Sequence, residues 1–285
     1  YQLREEPQAT PVLAQPKNAP PPNGSGKSYR EYDYFTAGPK MMRSLTTRHP
    51  MTNIALRDLF GIFCQDTCDG TTNWYDHSTP KAVTIHSTIM VKLESSEESD
   101  SVAKGISCLP SQLALEIPAD GECKIGATWI GANASLSDSQ TVTTPTQDTG
   151  DALLGHDCVF KVDATTKGGF LSANINFTNG AQLLSARDPS TAVSLGATIG
   201  QSEVTGSVTV LDLANASDAY AALVAAWEAS ADTAASEVVL HFTWDSAATD
   251  IAFPCVITNR SDPQDMGGAV GYTFDFQYAG GDATT

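Results

Sequence analysis

Long apolar runs are missing from this 285-residue chain. No stretch approaches the roughly 20 residues that a membrane-spanning helix needs, so no helical membrane contact is expected. Nor does an apolar secretory segment open the chain. Cations are scarce, with 16 Lys and Arg against 33 Asp and Glu for a net charge of −17. Phosphate attraction needs clustered Lys and Arg, so this composition makes a poor nucleic-acid binder and one that can repel DNA.

Cysteine is sparse as well. Cys64, Cys68, Cys108, Cys123, Cys158 and Cys255 fit neither a dense disulfide framework nor a zinc ribbon. Cys64 and Cys68 lie near His77 but lack a fourth ligand, and no metal or cofactor is expected. Cys123 and Cys255 fall on the apolar side of strand patterns and read as buried thiols. Cys108 and Cys123 flank a predicted strand, which leaves them as a candidate disulfide.

Catalytic constellations are lacking too. His49, His77, His86, His156 and His241 are scattered, with no Gly-x-Ser-x-Gly elbow and no His-Glu-x-x-His run. Asp262, Asp265 and Glu237 read as solvated loop acids rather than a glycosidase carboxylate pair. Gly26-Lys27-Ser28 ends like a phosphate-binding loop, yet Pro21 stands where that motif needs its first glycine. The chain is therefore not expected to be an enzyme.

What is present is unevenly placed charge. Residues 1–50 hold seven basic and four acidic side chains, a net of +3, which leaves −20 for the other 235 residues. APPPNGSGKS (Ala19 to Ser28) favours coil or polyproline. Residues 1–50 thus read as an extended basic arm, residues 51–280 as one β-sandwich domain, and 281–285 as a tail. A basic arm on an acidic body is suited to lie on another acidic copy.

The body alternates apolar and polar residues with a period of two, the mark of half-buried strands. In Ala82 to Glu94, Val83, Ile85, Ile89, Val91 and Leu93 share one face. An acidic loop, Glu94 to Asp100, follows. QLALEI (Gln112 to Ile117) and ECKIGATWIG (Glu122 to Gly131) flank an Asp120-Gly121 turn and predict a hairpin. Residues 132–151 are polar and predict a long loop. CVFKVD (Cys158 to Asp163) is a short strand. Val204, Val208 and Val210 share a face, as do Val238, Leu240, Phe242 and Trp244. Ile251, Phe253, Cys255 and Ile257 share another, and so do Tyr272, Phe274, Phe276 and Tyr278. Pro254 inside a strand predicts an edge or a bulge.

Two stretches read as helical. Asn53 is placed to cap a short helix whose Leu56, Leu59, Phe60 and Phe63 fall on one face. A second helix over Ser217 to Ala229 has Tyr220, Leu223, Val224 and Trp227 on one stripe and is expected to cover an opening of the sandwich. The polar strand faces hold Thr, Ser, Asn, Asp and Gln and little Lys, which leaves sheet edges poorly protected unless they pair between subunits.

From about residue 110–130 to 278 the order of elements resembles the tail tube proteins (major tail proteins) of long-tailed bacteriophages. The pieces are LSANINFTNGAQ (Leu171 to Gln182), EVTGSVTVL (Glu203 to Leu211) and the aromatic helix AYAALVAAW (Ala219 to Trp227). IAFPCVIT (Ile251 to Thr258) and the closing MGGAVGYTFDFQY (Met266 to Tyr278) complete the order. The resemblance implies a mainly β, antiparallel sandwich or barrel of the tail tube type with one flanking α-helix. It implies a structural virion protein, assembled in the host bacterial cytoplasm, whose six-membered rings stack into a tube that conducts linear double-stranded DNA without binding it. Tail terminator, tape-measure and baseplate proteins would be its partners. In that setting Arg30, Lys40, Arg43 and Arg48 of the arm and Glu94, Glu97, Glu98 and Asp100 of the acidic loop are the expected inter-subunit or inter-ring residues. Competing readings are a capsid decoration or head–tail connector protein, or a secreted or cell-surface sandwich. Asn-x-Ser/Thr sites at Asn133, Asn176 and Asn215 fit the last, although Asn176 lies mid-strand.

Overall fold

The computed structural model describes residues 12–14, 17–18, 36–37, 41–65, 87–93, 101–137, 150–187, 194–200, 202–213, 218–232, 237–245, 249–261, 264–266 and 269–279. In chain order the strands are β1 (Val12–Ala14), β2 (Lys17–Asn18), β3 (Thr36–Ala37), β4 (Met41–Pro50), β5 (Ser87–Leu93) and β6 (Ser101–Ile117). Next come β7 (Lys124–Ser137), β8 (Val159–Val162), β9 (Thr165–Thr166), β10 (Phe170–Thr178), β11 (Gln182–Arg187) and β12 (Ser194–Thr198). The last are β13 (Glu203–Leu211), β14 (Val238–Trp244), β15 (Thr249–Arg260), β16 (Gln264–Met266) and β17 (Ala269–Tyr278). Helix α1 spans Asn53–Cys64 and α2 spans Ala219–Asp232.

One antiparallel sheet carries most of these strands, in the order β1-β4-β7-β6-β10-β13-β17-β15-β14-β8-β9, with β5 added to β6 and β16 to β17. The small pairs β11-β12 and β2-β3 lie apart from it. The sheet does not stay flat. Phe160 on β8 and Phe170 on β10 stand five strands apart in this order, roughly 24 Å at the usual strand spacing. Their rings nevertheless stack with centroids 5.3 Å apart. Phe177 on β10 and Phe253 on β15 meet at 6.3 Å in the same way. The sheet has curled until two layers face each other across a single core, which is the mainly β, sandwich-like class read from the sequence.

The segment before β8 closes one end. Cys123 donates its N–H to the Leu153 carbonyl at 2.8 Å, Gly155 donates to Gly121 at 2.8 Å, and the Trp244 indole donates to Leu154 at 2.9 Å. Gly121 takes φ +86° in the turn between β6 and β7, a conformation glycine adopts without strain.

The expected apolar faces are the core. Val204, Val208, Val210, Leu240, Phe242, Trp244, Ile251, Phe253, Cys255, Ile257, Phe274 and Phe276 are all buried. Each large apolar side chain removed from water contributes about 1.5–3 kcal/mol. Helix α1 inserts its predicted stripe, Leu56, Leu59, Phe60 and Phe63, and the Phe60 ring meets Phe177 edge-on at 4.9 Å. In α2, Leu223 is fully buried while Tyr220, Val224 and Trp227 pack half-buried against the core. Tyr220 is further held by Arg260, whose guanidinium donates to its hydroxyl at 2.7 Å and lies 5.3 Å from its ring and 5.1 Å from that of Tyr272.

Several expectations need correction. Two α-helices flank the sheet rather than one. The cap of α1 is Thr52, not Asn53, because the Thr52 hydroxyl accepts from the Ala55 N–H at 3.0 Å. The arm expected over 1–50 is not clear of the body, since its last ten residues are β4 and pair with β7. The polar stretch 132–151 is not all loop, because β7 runs on to Ser137 against β6. Pro254 lies in an interior strand, at the point where pairing with β17 begins at Cys255↔Tyr278. Its missing N–H therefore falls where the ladder has no partner. Cys108 and Cys123 cannot pair. Cys108 stands opposite Gly131, while Glu116 stands opposite Lys124, so the two thiols are separated by about eight strand residues, or ~26 Å. Cys108, Cys123 and Cys255 are buried free thiols. Cys68, His77 and the acidic loop from 94 to 100 lie outside the described residues.

Candidate functional site

Strand alternation that sends apolar residues inward sends polar residues outward, and pairing then aligns them in rows. One row runs Lys124, Glu116, Asn174, Ser207 and Asp275 across β7, β6, β10, β13 and β17. The row beside it runs Arg48, Gly126, Ala114, Asn176, Thr205 and Gln277, starting on β4. A third runs Thr46, Thr128, Gln112, Thr178 and Glu203. Together they make one polar face, six strands wide, on the back of the buried layer.

Side-chain hydrogen bonds knit this face. Gln112 Nε2 donates to Asn176 Oδ1 at 3.5 Å, Asn259 Nδ2 to Asp275 Oδ2 at 3.1 Å, and Gln277 Nε2 to Glu203 Oε1 at 3.2 Å. Thr209 and Thr273 share a hydroxyl contact at 3.0 Å. Amides and hydroxyls so engaged present a wettable, near-rigid surface with few reactive groups. Its cations among the described residues are Arg48 and Lys124, both at the β4–β7 side.

Arg48 reaches Glu116 in a direct ion pair, although the two stand on β4 and β6 with β7 between them. The reach is possible because the β7 residue opposite Arg48 is Gly126, which has no side chain to block the path. On the core side of β13, Gly206 is required by close approach. A Cβ there would stand 2.5 Å from the Asn174 carbonyl oxygen and 2.5 Å from the Phe276 ring.

Below the face the thiols are inert. Burial pushes Cys108 up to about 11, partly offset by a backbone hydrogen bond from Ile89, and pushes Cys123 up to about 12. Burial raises Cys158 and Cys255 as well. A thiolate nucleophile or metal ligand needs the opposite shift. His241 on β14 bonds Asp250 through Nδ1 at 3.2 Å, and Thr243 Oγ1 occupies the other carboxylate oxygen at 3.0 Å. Among the described residues no group of three or more His, Cys, Asp or Glu could hold a metal ion.

A phage tail tube protein family model matches residues 19–278. The chain belongs to the phage tail tube protein family. It is accordingly a structural component of a phage tail that assembles into the tail tube. The match begins well before residue 110, so the tail tube pattern includes β4, α1 and the β6–β7 hairpin as well as the last third. The chain matches no curated protein.

Of the contact residues expected in a tail tube protein, Arg48 is the one whose partner is described, and that partner is Glu116 of the same chain. Arg43 lies on β4. Arg30, Lys40, Glu94, Glu97, Glu98 and Asp100 lie outside the described residues. Sequence reading missed Glu116, Gly126, Asn174, Asn176, Ser207 and Asp275 as members of one surface. Their signal was the polar half of each alternation.

Proposed function

We propose that copies of this chain close into rings, six to a ring, and that the polar face described above lines the lumen through which double-stranded DNA passes. The continuity of that face over six strands supports this reading. A duplex sliding past it meets hydroxyls, amides and carboxylates, and little that would hold a phosphate. The other side of the same strands packs into the apolar core.

Ring closure follows from the sheet edge. Strand β4 is covered by β1 only from Met41 to Ser44 among the described residues. Strand addition from a neighbouring copy along the rest of β4 would remove the exposed edge. The basic arm, with Arg30 and Lys40, Arg43 on β4, and the acidic loop, with Glu94, Glu97, Glu98 and Asp100, would contact neighbouring copies or rings. Each contact can be weak because it is repeated around the ring. Tail terminator, tape-measure and baseplate proteins would meet the ends of the tube, which would be built in the host cytoplasm.

Negative-stain microscopy of the purified chain at rising concentration tests this. Stacked rings with a stain-filled channel are expected. A species that stays monomeric at high concentration would refute it.

A further inference from the structure

The polar face is not uniform, and its one irregularity is informative. Arg48 and Lys124 stand diagonally on the neighbouring strands β4 and β7, where they would form a two-charge anchor for a phosphate. Glu116, on the far side of β7, pairs with Arg48 diagonally across Gly126 and stands directly opposite Lys124 in the ladder. A second carboxylate, Glu122, lines the same open cleft of about 290 Å³, together with Ser172 and Asn174. Two cations and two carboxylates thus line one depression. The pair is solvent-exposed, with 52% and 45% of the two side chains accessible, so its value to stability is small. A different role explains why four charges are gathered there.

We infer that Glu116 and Glu122 mask Arg48 and Lys124, converting a latent oligophosphate site into a neutral cleft that a polyanion slides over without being retained. The cations remain useful to the sheet as long stems packed over small residues, while their charge is cancelled toward the lumen. The step from masking to passage rests on the lumen reading above. The masking itself does not.

Two measurements separate the claims. In the first, the soluble full-length chain is titrated with tripolyphosphate at low ionic strength, comparing wild type with Glu116→Gln, Glu122→Gln and the double variant. The double variant is expected to bind about tenfold more tightly than wild type, with binding abolished by added salt and by Arg48→Gln in the same background. No tightening, or tightening that survives Arg48→Gln, overturns the masking. Both glutamates are solvent-facing, and the two single variants report independently if either one folds poorly. In the second, assembled tubes of the double variant are tested for co-sedimentation with a duplex of about 20 base pairs. Retention by the variant and not by wild type supports masking within the lumen. Tighter tripolyphosphate binding without DNA retention leaves the masking standing and refutes the placement of this face in the lumen.

Discussion

The side-chain amide of Asn179 donates to the carbonyl oxygen of Pro110 at 3.0 Å, joining the end of β10 to the middle of β6. The same nitrogen donates to the Phe63 carbonyl at 3.2 Å, and Oδ1 accepts from the Ala181 N–H at 3.1 Å. Asn179 is 1% exposed, so its amide substitutes for water at three backbone groups, one on β6, one on α1 and one in the turn after β10.

Removing that amide should be costly. Asn179→Ala leaves two buried carbonyls short of a donor and is expected to destabilise by about 2–4 kcal/mol. Asn179→Asp should cost more, because it turns a donor into an acceptor facing the same carbonyls. Urea unfolding checks both. An Asp variant as stable as wild type would show that these bonds do not matter.

The two glycines of the polar-face strands should respond oppositely. Gly206→Ala drives a methyl into the Asn174 backbone and the Phe276 ring and should cost about 1–3 kcal/mol. Gly126→Ala meets nothing nearer than 3.5 Å and should be neutral or stabilising. Gly126→Val should be tolerated by the fold yet separate Arg48 from Glu116. Thermal unfolding of the three variants gives the ranking.

Alkaline pH should weaken the fold through the buried thiols. Their folded values are raised, so the stability they contribute is complete below the unfolded value near 9 and is lost as pH climbs through about 11 for Cys108 and about 12 for Cys123. Over that window the unfolded chain releases protons that the folded chain keeps, a slope of about 1.4 kcal/mol per pH unit per thiol. Urea midpoints at pH 8 and pH 10 should differ in wild type. Cys123→Ala should lower both midpoints and narrow the gap between them.

Arg260 should act as a clasp for α2. Arg260→Ala removes one hydrogen bond and two cation–ring contacts and is expected to cost about 1–2 kcal/mol. Hydrogen exchange should accelerate in α2 before it changes in β10 or β13. Uniform acceleration across the sheet would rule the clasp out.

Much of the fold was legible because one-sided strands write a period of two. Val204 to Val210, Val238 to Trp244 and Phe274 to Phe276 were read correctly for that reason. Strand β4 was not, because its core-facing positions include Thr47 and His49 as well as Leu45 and carry no apolar rhythm. The outer parts of β6 and β7 were missed similarly, since their sequence carries no sustained apolar alternation, while the backbones pair from Val102↔Ser137 onward. The polar face was visible only in fragments. Alternation says that Glu116, Asn174, Ser207 and Asp275 point outward, but it cannot say that they are neighbours. That needs the strand order, which is fixed by the pairings Glu116↔Asn174, Asn174↔Ser207 and Ser207↔Asp275, whose partners are 58, 33 and 68 positions apart.

Strand β6 changes partner along its length. Its first part, to Cys108, is bordered by β5, and its last part, from Gln112, by β10, with a register shift against β7 between Pro110 and Gln112. The far hairpin and the body are therefore one uninterrupted ribbon. Tension applied along that ribbon would load the six β6–β10 residue pairs together, in shear, instead of peeling them apart one by one. Such a strand is a mechanical tie rod, and a load arriving at the hairpin would be carried into the Asn179 junction before any single backbone bond had to fail.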